Sequence, residues 1–568
     1  MERKYMRLFK KGVLGAAVIA GCSACTDTID EHYGISDGVA TKSLWEQIVE
    51  QPNLKNFAKV LEKVHYYNNE TKASNLTYKD ILQQNNKMTV WAPVDSTFDL
   101  DAVLADIEKD EYSVDHRFVR NHINSFARNV SGSEADSITM LNSKLGILDN
   151  SQKKFKDVDI VEANIPATNG VLHKLSATVP FLNNLYEYMQ TTPEVSSLYQ
   201  YFSERDTTYL DENQSVQGGI VNGEVTWADS VMITESKAFN FSFQYRGETW
   251  SGLNANLKNE DSTFVMIMPT NTGWDKAIAK TYPYFKYMGF AYANKDDKNK
   301  EGKKVNPDTI QKNQSLMSIV NRLAFSPNRQ KDYTLEDFGH TDSLFTTSYI
   351  VVDTPYCNDI FKGIEPIRVS NGYVYLTDDY RYNVSDDIEV EGESFTYLYS
   401  DGINVSTRVN TASVTSTARN PKIKGSISGN SYAYTVPLSL NTATNIAYKL
   451  PNVLSTKYDI YAVILPENIQ DTLKTNTMPL KFAATINYYD GTSALEKSKT
   501  SEDFISDTTK VDTVLLFKDF QFPIAYQGVD NAYPTLKLEV TAGPREINKK
   551  YTNSIYVDKI ILKAKKEE

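Results

Sequence analysis

The feature that most constrains this chain is a change in hydrophobic period along its length. From about residue 384, apolar and aromatic residues alternate, as in Phe395-Tyr397-Tyr399, Tyr432-Tyr434-Val436-Leu438, Tyr458-Ile460-Ala462-Ile464, Phe482-Ala484-Ile486-Tyr488 and Leu536-Leu538-Val540. Successive side chains of a strand point to opposite faces, so period two joined by Gly, Asn and Asp turns predicts a β-sandwich of jelly-roll type over 384–568. Earlier segments mix periods instead. Phe57, Val60, Leu61 and Val64 fall on one face of a helix, whereas short apolar runs bounded by turn residues read as buried strands. A chain of 568 residues exceeds a single core, and at roughly 150 residues per domain it predicts three or four.

Charge removes one class of partner. Lysine and arginine total 60 against 72 acidic residues, a net charge of −12, so general attraction to nucleic acid or to anionic headgroups is not expected. Three cysteines are present. Two of them, Cys22 and Cys25, lie beside the N-terminal apolar run, so Cys357 stands alone and reads as a small half-buried hydrophobe.

The N-terminus carries Arg3, Lys4, Arg7, Lys10 and Lys11, then the apolar run Gly12 to Gly21, then Cys22. That is the layout of a signal peptide over 1–21, too short at roughly 15 Å of helix to span a bilayer. Ile19-Ala20-Gly21-Cys22 resembles a bacterial lipobox. The resemblance implies lipidation of Cys22, with Cys25 as a second candidate acceptor, and an acidic tether over 22–41. Asp27, Asp30 and Glu31 in that tether resemble the export tag of glycan-foraging Gram-negative bacteria. It implies an outer-membrane lipoprotein facing the cell exterior.

A strand signal at Met88 to Phe98 stops at Pro93, with Asp95 or Ser96 placed to cap a following helix. Asn169-Gly170-Val171-Leu172-His173 is a turn leading into a strand, and His122 sits between them on a helical segment. Together these segments resemble the fasciclin domain, over 42–182. A weaker echo follows over 183–383. Pro269 ends a second apolar strand, Asn371-Gly372 opens a third, and Asn321 and Tyr375 stand where the family's histidines would be. The resemblance implies two α+β units associated with adhesion and extracellular interaction, in which Pro93, His122, Asn169, Gly170, His173, Pro269, Asn371 and Gly372 serve mainly the fold. A polar stretch, 294–306, reads as a solvated loop. In the last unit, Ser554 to Leu562 resembles the closing strand of galactose-binding-like jelly rolls, which implies a face where tyrosines meet sugar rings; packing of those tyrosines on their own sheet is the competing reading.

Catalytic signatures are missing. There is no H-E-x-x-H, no G-x-S-x-G, no P-loop and no dinucleotide-binding glycine pattern. Six histidines show no i, i+4 pair for zinc, and no cofactor or metal is expected. Asp297 to Asp308 has the oxygen spacing of a calcium loop, but Lys303 and Lys304 lie within it, which favours a charged surface loop. Asp-Ser/Thr tripeptides such as Asp136-Ser137-Ile138 and Asp512-Thr513-Val514 resemble bacterial O-glycosylation acceptors and read equally as turns or caps. The sequence therefore predicts a multidomain envelope lipoprotein held to the membrane by its N-terminal lipid. Its expected role is non-catalytic binding, with a glycan or an outer-membrane transporter as partner; a polysaccharide-active enzyme and an adhesion protein are the alternatives.

Overall fold

The computed structural model describes residues 40–69, 72–212, 215–221, 224–229, 232–245, 248–295, 302–326, 343–353, 359–381, 389–393, 410–415, 420, 427, 432–437, 444–469 and 473–565. The lipobox-like segment with Cys22 and Cys25, the lone Cys357, the strand signal Phe395 to Tyr399 and Asp297 to Glu301 of the calcium-like loop lie outside these residues. The protein is multidomain, with mixed helix and strand content.

The first unit is built around a seven-stranded sheet ordered Ile123–Ser125, Met88–Pro93, Gly170–Leu175, Val158–Ala167, Lys154–Phe155, Leu145–Asp149 and Ala135–Thr139. Its central pair, Met88–Pro93 with Gly170–Leu175, is parallel, with Met88 opposite Gly170. Both strands are almost wholly buried, as parallel strands covered on both faces must be, and this accounts for their continuous apolar runs. Helices Leu44–Glu50 and Lys55–Lys63 pack Leu44, Ile48, Phe57 and Leu61 against that sheet.

The second unit repeats this design residue for residue at its centre. Phe264–Pro269 runs parallel to Gly372–Thr377, with Phe264 opposite Gly372. Strand Ala324–Phe325 takes the place of Ile123–Ser125. Ser43 caps helix Leu44–Glu50 with a reciprocal bond to Glu46, and Asn184 caps helix Leu185–Thr191 in the same way with Glu187. Asp95 does not cap the helix that follows it. Its carboxylate accepts the Lys55 and Asn56 amides at 3.0 and 2.8 Å, capping the earlier helix, while Asp99 caps Leu100–Val114. Asn271 stands in the same register and accepts the Ser197 amide at 2.9 Å.

That register corrects one assignment. Val90 pairs with Ile123, and Met266, its counterpart, pairs with Ala324. Leu323, not Asn321, therefore stands where His122 does, and it is fully buried in the core of the second unit. The helix before it ends at a different phase, so alignment by helical echo alone lands two residues early.

The last unit is a β-sandwich of two antiparallel sheets. Among the described residues, one sheet runs Asn410–Thr415, Tyr432–Pro437, Ile555–Ala564, Lys457–Ile464 and Asp512–Gln521, and the other runs Asn445–Lys449, Thr535–Val540, Lys481–Tyr489 and Glu496–Thr500. Tyr458, Ile460, Ala462 and Ile464 of one sheet meet Phe482, Ala484, Ile486, Leu536 and Leu538 of the other, so the period-two pattern is the inner face. Tyr432 and Tyr434 point the other way. They join Tyr556, Ile427, Leu465 and Ile469 in a small cluster on the outer face.

The second unit reaches into this sandwich. Tyr284, Phe285, Tyr287, Met288, Tyr292 and Val305 are buried in the sandwich core, with Tyr292 bridged to Lys303. The Tyr287 hydroxyl donates to the Gln527 carbonyl at 2.6 Å, and Lys295 pairs with Glu496 at 2.5 Å. The polar stretch read as a solvated loop is thus, where described, the end of a strap whose aromatic residues fill the neighbouring core.

Candidate functional site

Each of the motif residues has a definite place. The Asn169 side chain accepts the Leu44 amide at 2.7 Å and donates to the Leu82 and Gln84 carbonyls at 2.8 and 2.6 Å. Asn371 does the same in the second unit, accepting the Leu185 amide and donating to the Leu257 and Asn259 carbonyls. Each buried amide thus satisfies three backbone groups that folding would otherwise strand. Gly170 and Gly372 follow with φ of +154° and +144°. A Cβ at either would overlap the carbonyl oxygen of Met88 or Phe264 on the parallel partner, so only glycine fits. Pro93 and Pro269 close those partner strands.

His122 and His173 are fully buried and do not bond each other. His122 donates from Nδ1 to the Phe118 carbonyl at 2.7 Å and accepts the Val179 amide on Nε2 at 2.9 Å. His173 uses the opposite tautomer, donating from Nε2 to the Arg128 carbonyl and accepting the Asn164 amide on Nδ1, with its ring stacked 4.4 Å from Trp91. Burial lowers each imidazole to a pKa of about 4, so both are neutral at pH 7 with both nitrogens engaged. Neither is placed to exchange a proton with a ligand.

The first and second units are joined by a buried charge cluster. Lys144, 2% exposed, lies 2.8 Å from Glu187 and 2.7 Å from Glu260, donates to the Ser370 hydroxyl at 3.1 Å and sits over the Phe181 ring. His116 reaches the other Glu187 oxygen at 2.9 Å. Burial works against the Glu187 carboxylate, but the His116 bond and Lys144 outweigh it and bring its pKa to about 2. Nearby, burial and then repulsion from Lys144 lower Lys156 to about 8. The cluster is saturated with internal partners and works as a joint.

A cleft of about 590 Å³ opens elsewhere, in the second unit, within the size range of small-ligand sites. Its walls are helices Ser196–Ser203, Asn271–Thr281 and Pro307–Val320. Trp274, Ile278 and Leu316 line it, with Tyr201 and Trp250 beside them. The Arg205 guanidinium lies 3.8 Å from the Tyr201 ring centre and 4.5 Å from that of Trp250, and its Nη1 donates to the Tyr201 carbonyl at 2.6 Å. Exposed Glu204, Asp275, Asp308 and Lys312 stand around the rim. These residues are not marked by any sequence motif. The legible signals are the i, i+4 spacing of Tyr201 with Arg205 and the run Asp308, Lys312, Leu316, which shares one helical face.

Among the described residues no cluster of three or more His, Cys, Asp or Glu is arranged to hold a metal, and no helix is long and apolar enough to cross a membrane.

No family model and no curated protein matches the chain. Solved structures similar to it include the FAS1 domain pair of the insect cell adhesion molecule fasciclin I, at 13% identity over 53% of this chain and 90% of that one, with a TM-score of 0.19. The xylan-binding CBM22-2 domain from Paenibacillus barcinonensis is 10% identical over 30% of this chain and 98% of its own, with a TM-score of 0.18. A further xylan-binding CBM22 domain is 16% identical over 30% of this chain and 96% of its own, at 0.17.

Proposed function

We propose that this chain is an exported, lipid-anchored envelope protein that binds and does not convert its ligand, acting as an accessory in glycan or nutrient capture by an outer-membrane uptake system. The basic N-terminus, the short apolar run and Cys22 support export and anchoring. One observation carries the choice of binding over catalysis. The histidines suited to acid–base work, His122 and His173, are sealed and bonded to backbone, whereas the described cleft in the second unit offers apolar side chains and a polar rim. Buried joints between units, at Lys144 and at the aromatic strap, suit a protein that presents surfaces in fixed relation.

A second reading has a specific observation behind it. Glu204, Asp275 and Asp308 share one rim, and glycoside hydrolysis needs two carboxylates flanking a bond. Anchoring is tested by labelling cells with radioactive palmitate. The full chain is expected to take up label and sediment with the outer membrane, and Cys22→Ala to do neither; equal labelling of a Cys22→Ala, Cys25→Ala double variant would overturn the anchor.

A further inference from the structure

We infer that the helical cleft of the second unit binds a neutral sugar chain, and that the tyrosine cluster of the sandwich does not. The inference rests on the binding role proposed above and gives that role a place and a ligand class. A pyranose presents apolar C–H faces and a belt of hydroxyls, each of which both donates and accepts. The cleft matches both. Trp274, Ile278 and Leu316 give an apolar lining, while Asp275, Asp308 and the Glu204 carboxylate, held by the Gln200 amide at 2.7 Å, supply acceptors.

Charge narrows the class further. Three carboxylates outnumber the two cations that line the cleft, exposed Lys312 and buried Arg205, which disfavours uronates and sulfated chains. An organic cation would seek an aromatic face, but the Arg205 guanidinium already lies over Tyr201 and Trp250, and its charge opposes a second cation at the neighbouring Trp274. A neutral, hydroxyl-rich ligand remains. The site is also preformed, because Trp274, Asp275, Asp308 and Lys312 stand on two helices packed on the core of the unit, so little order is lost on binding.

On the sandwich, by contrast, Tyr434 and Tyr556 stack on each other at 5.9 Å and 16°. They pack with Tyr432 against Ile427, Leu465 and Ile469, so their rings cover their own sheet.

The test titrates the mature full chain with maltohexaose, xylohexaose and mannohexaose, and in parallel with oligogalacturonate and spermidine, by calorimetry and tryptophan emission. At least one neutral hexasaccharide is expected to bind and to shift the emission. Glu204→Gln with Asp275→Asn is expected to weaken binding about tenfold or more with an unchanged melting temperature, and Tyr434→Ala to leave it within about twofold. Binding that survives the rim variant and is lost in Tyr434→Ala would move the site to the sandwich and leave the binding role standing. Tighter binding of oligogalacturonate or spermidine, or no binding of any neutral chain, would overturn the assignment; failed palmitate labelling would instead strike the anchoring reading.

Discussion

Lys144 of the first unit lies 2.7 Å from Glu260 of the second, with the lysine 2% and the glutamate 6% exposed. A buried ion pair contributes little over an apolar substitute, but removing one partner strands the other. Lys144→Met leaves Glu187 and Glu260 facing each other without their shared cation. It is expected to destabilise the junction by about 3–5 kcal/mol, seen as an earlier first melting transition and as loss of amide protection at Glu187 and Ser370. Glu260→Gln keeps the Glu187 pair and is expected to cost less.

Acid should loosen first the core of the first unit and then its junction with the second. His122 and His173 have pKa values lowered by burial to about 4, so between pH 6.5 and 4 the unfolded chain binds protons that the folded chain refuses. Stability then falls as pH falls, by on the order of 3 kcal/mol per histidine across that window. Glu187 acts lower, since its contribution is present above the unfolded value near 4.5 and is lost as pH drops toward about 2. Stability measured against pH in His122→Gln and His173→Gln should show a shallower slope between pH 6.5 and 4, and an unchanged slope would contradict the assignment.

The parallel strand pairs predict a matched effect in both units. Gly170→Ala and Gly372→Ala each drive a methyl group into a partner carbonyl at positive φ. Each is expected to cost roughly 2–4 kcal/mol, whereas Gly289→Ala, with open space around its Cβ position, should be near neutral. Thermal melts of the three variants compare them directly.

The strap predicts that the sandwich depends on a residue far outside it. Tyr292 is fully buried there, its hydroxyl donating to the Ala525 carbonyl at 3.2 Å and its ring packed on Tyr489 and Tyr526. Tyr292→Ala is expected to cost about 3–5 kcal/mol and to raise hydrogen exchange in strands Lys481–Tyr489 and Lys457–Ile464. Exchange confined to the second unit would contradict the packing.

These features differ in how far the sequence discloses them. Period two in 457–464 and 481–489 is visible because one face of each strand must be apolar, and the Asn-Gly pairs at 169–170 and 371–372 are visible as turns. The second task of each asparagine, holding the first amide of a helix more than a hundred residues away, leaves no local trace. Nothing local marks Lys144, whose partners stand at 187 and 260. The strap misleads for a related reason. Its charged stretch looks solvated, while Tyr284, Phe285 and Tyr292 just before it are used by a core formed mostly from residues beyond 430. The cleft is similarly hidden, because Trp274 and Asp308 come from two helices, Glu204 from the end of a third, and no motif joins them.

Binding without conversion is tested most directly by running the full chain through gels containing starch, xylan or mannan while assaying the same mixtures for reducing ends. The account predicts that at least one neutral polysaccharide retards the protein and that no new reducing ends appear over a day. Release of reducing ends that stops in the Glu204→Gln, Asp275→Asn variant would contradict it and make this chain an enzyme.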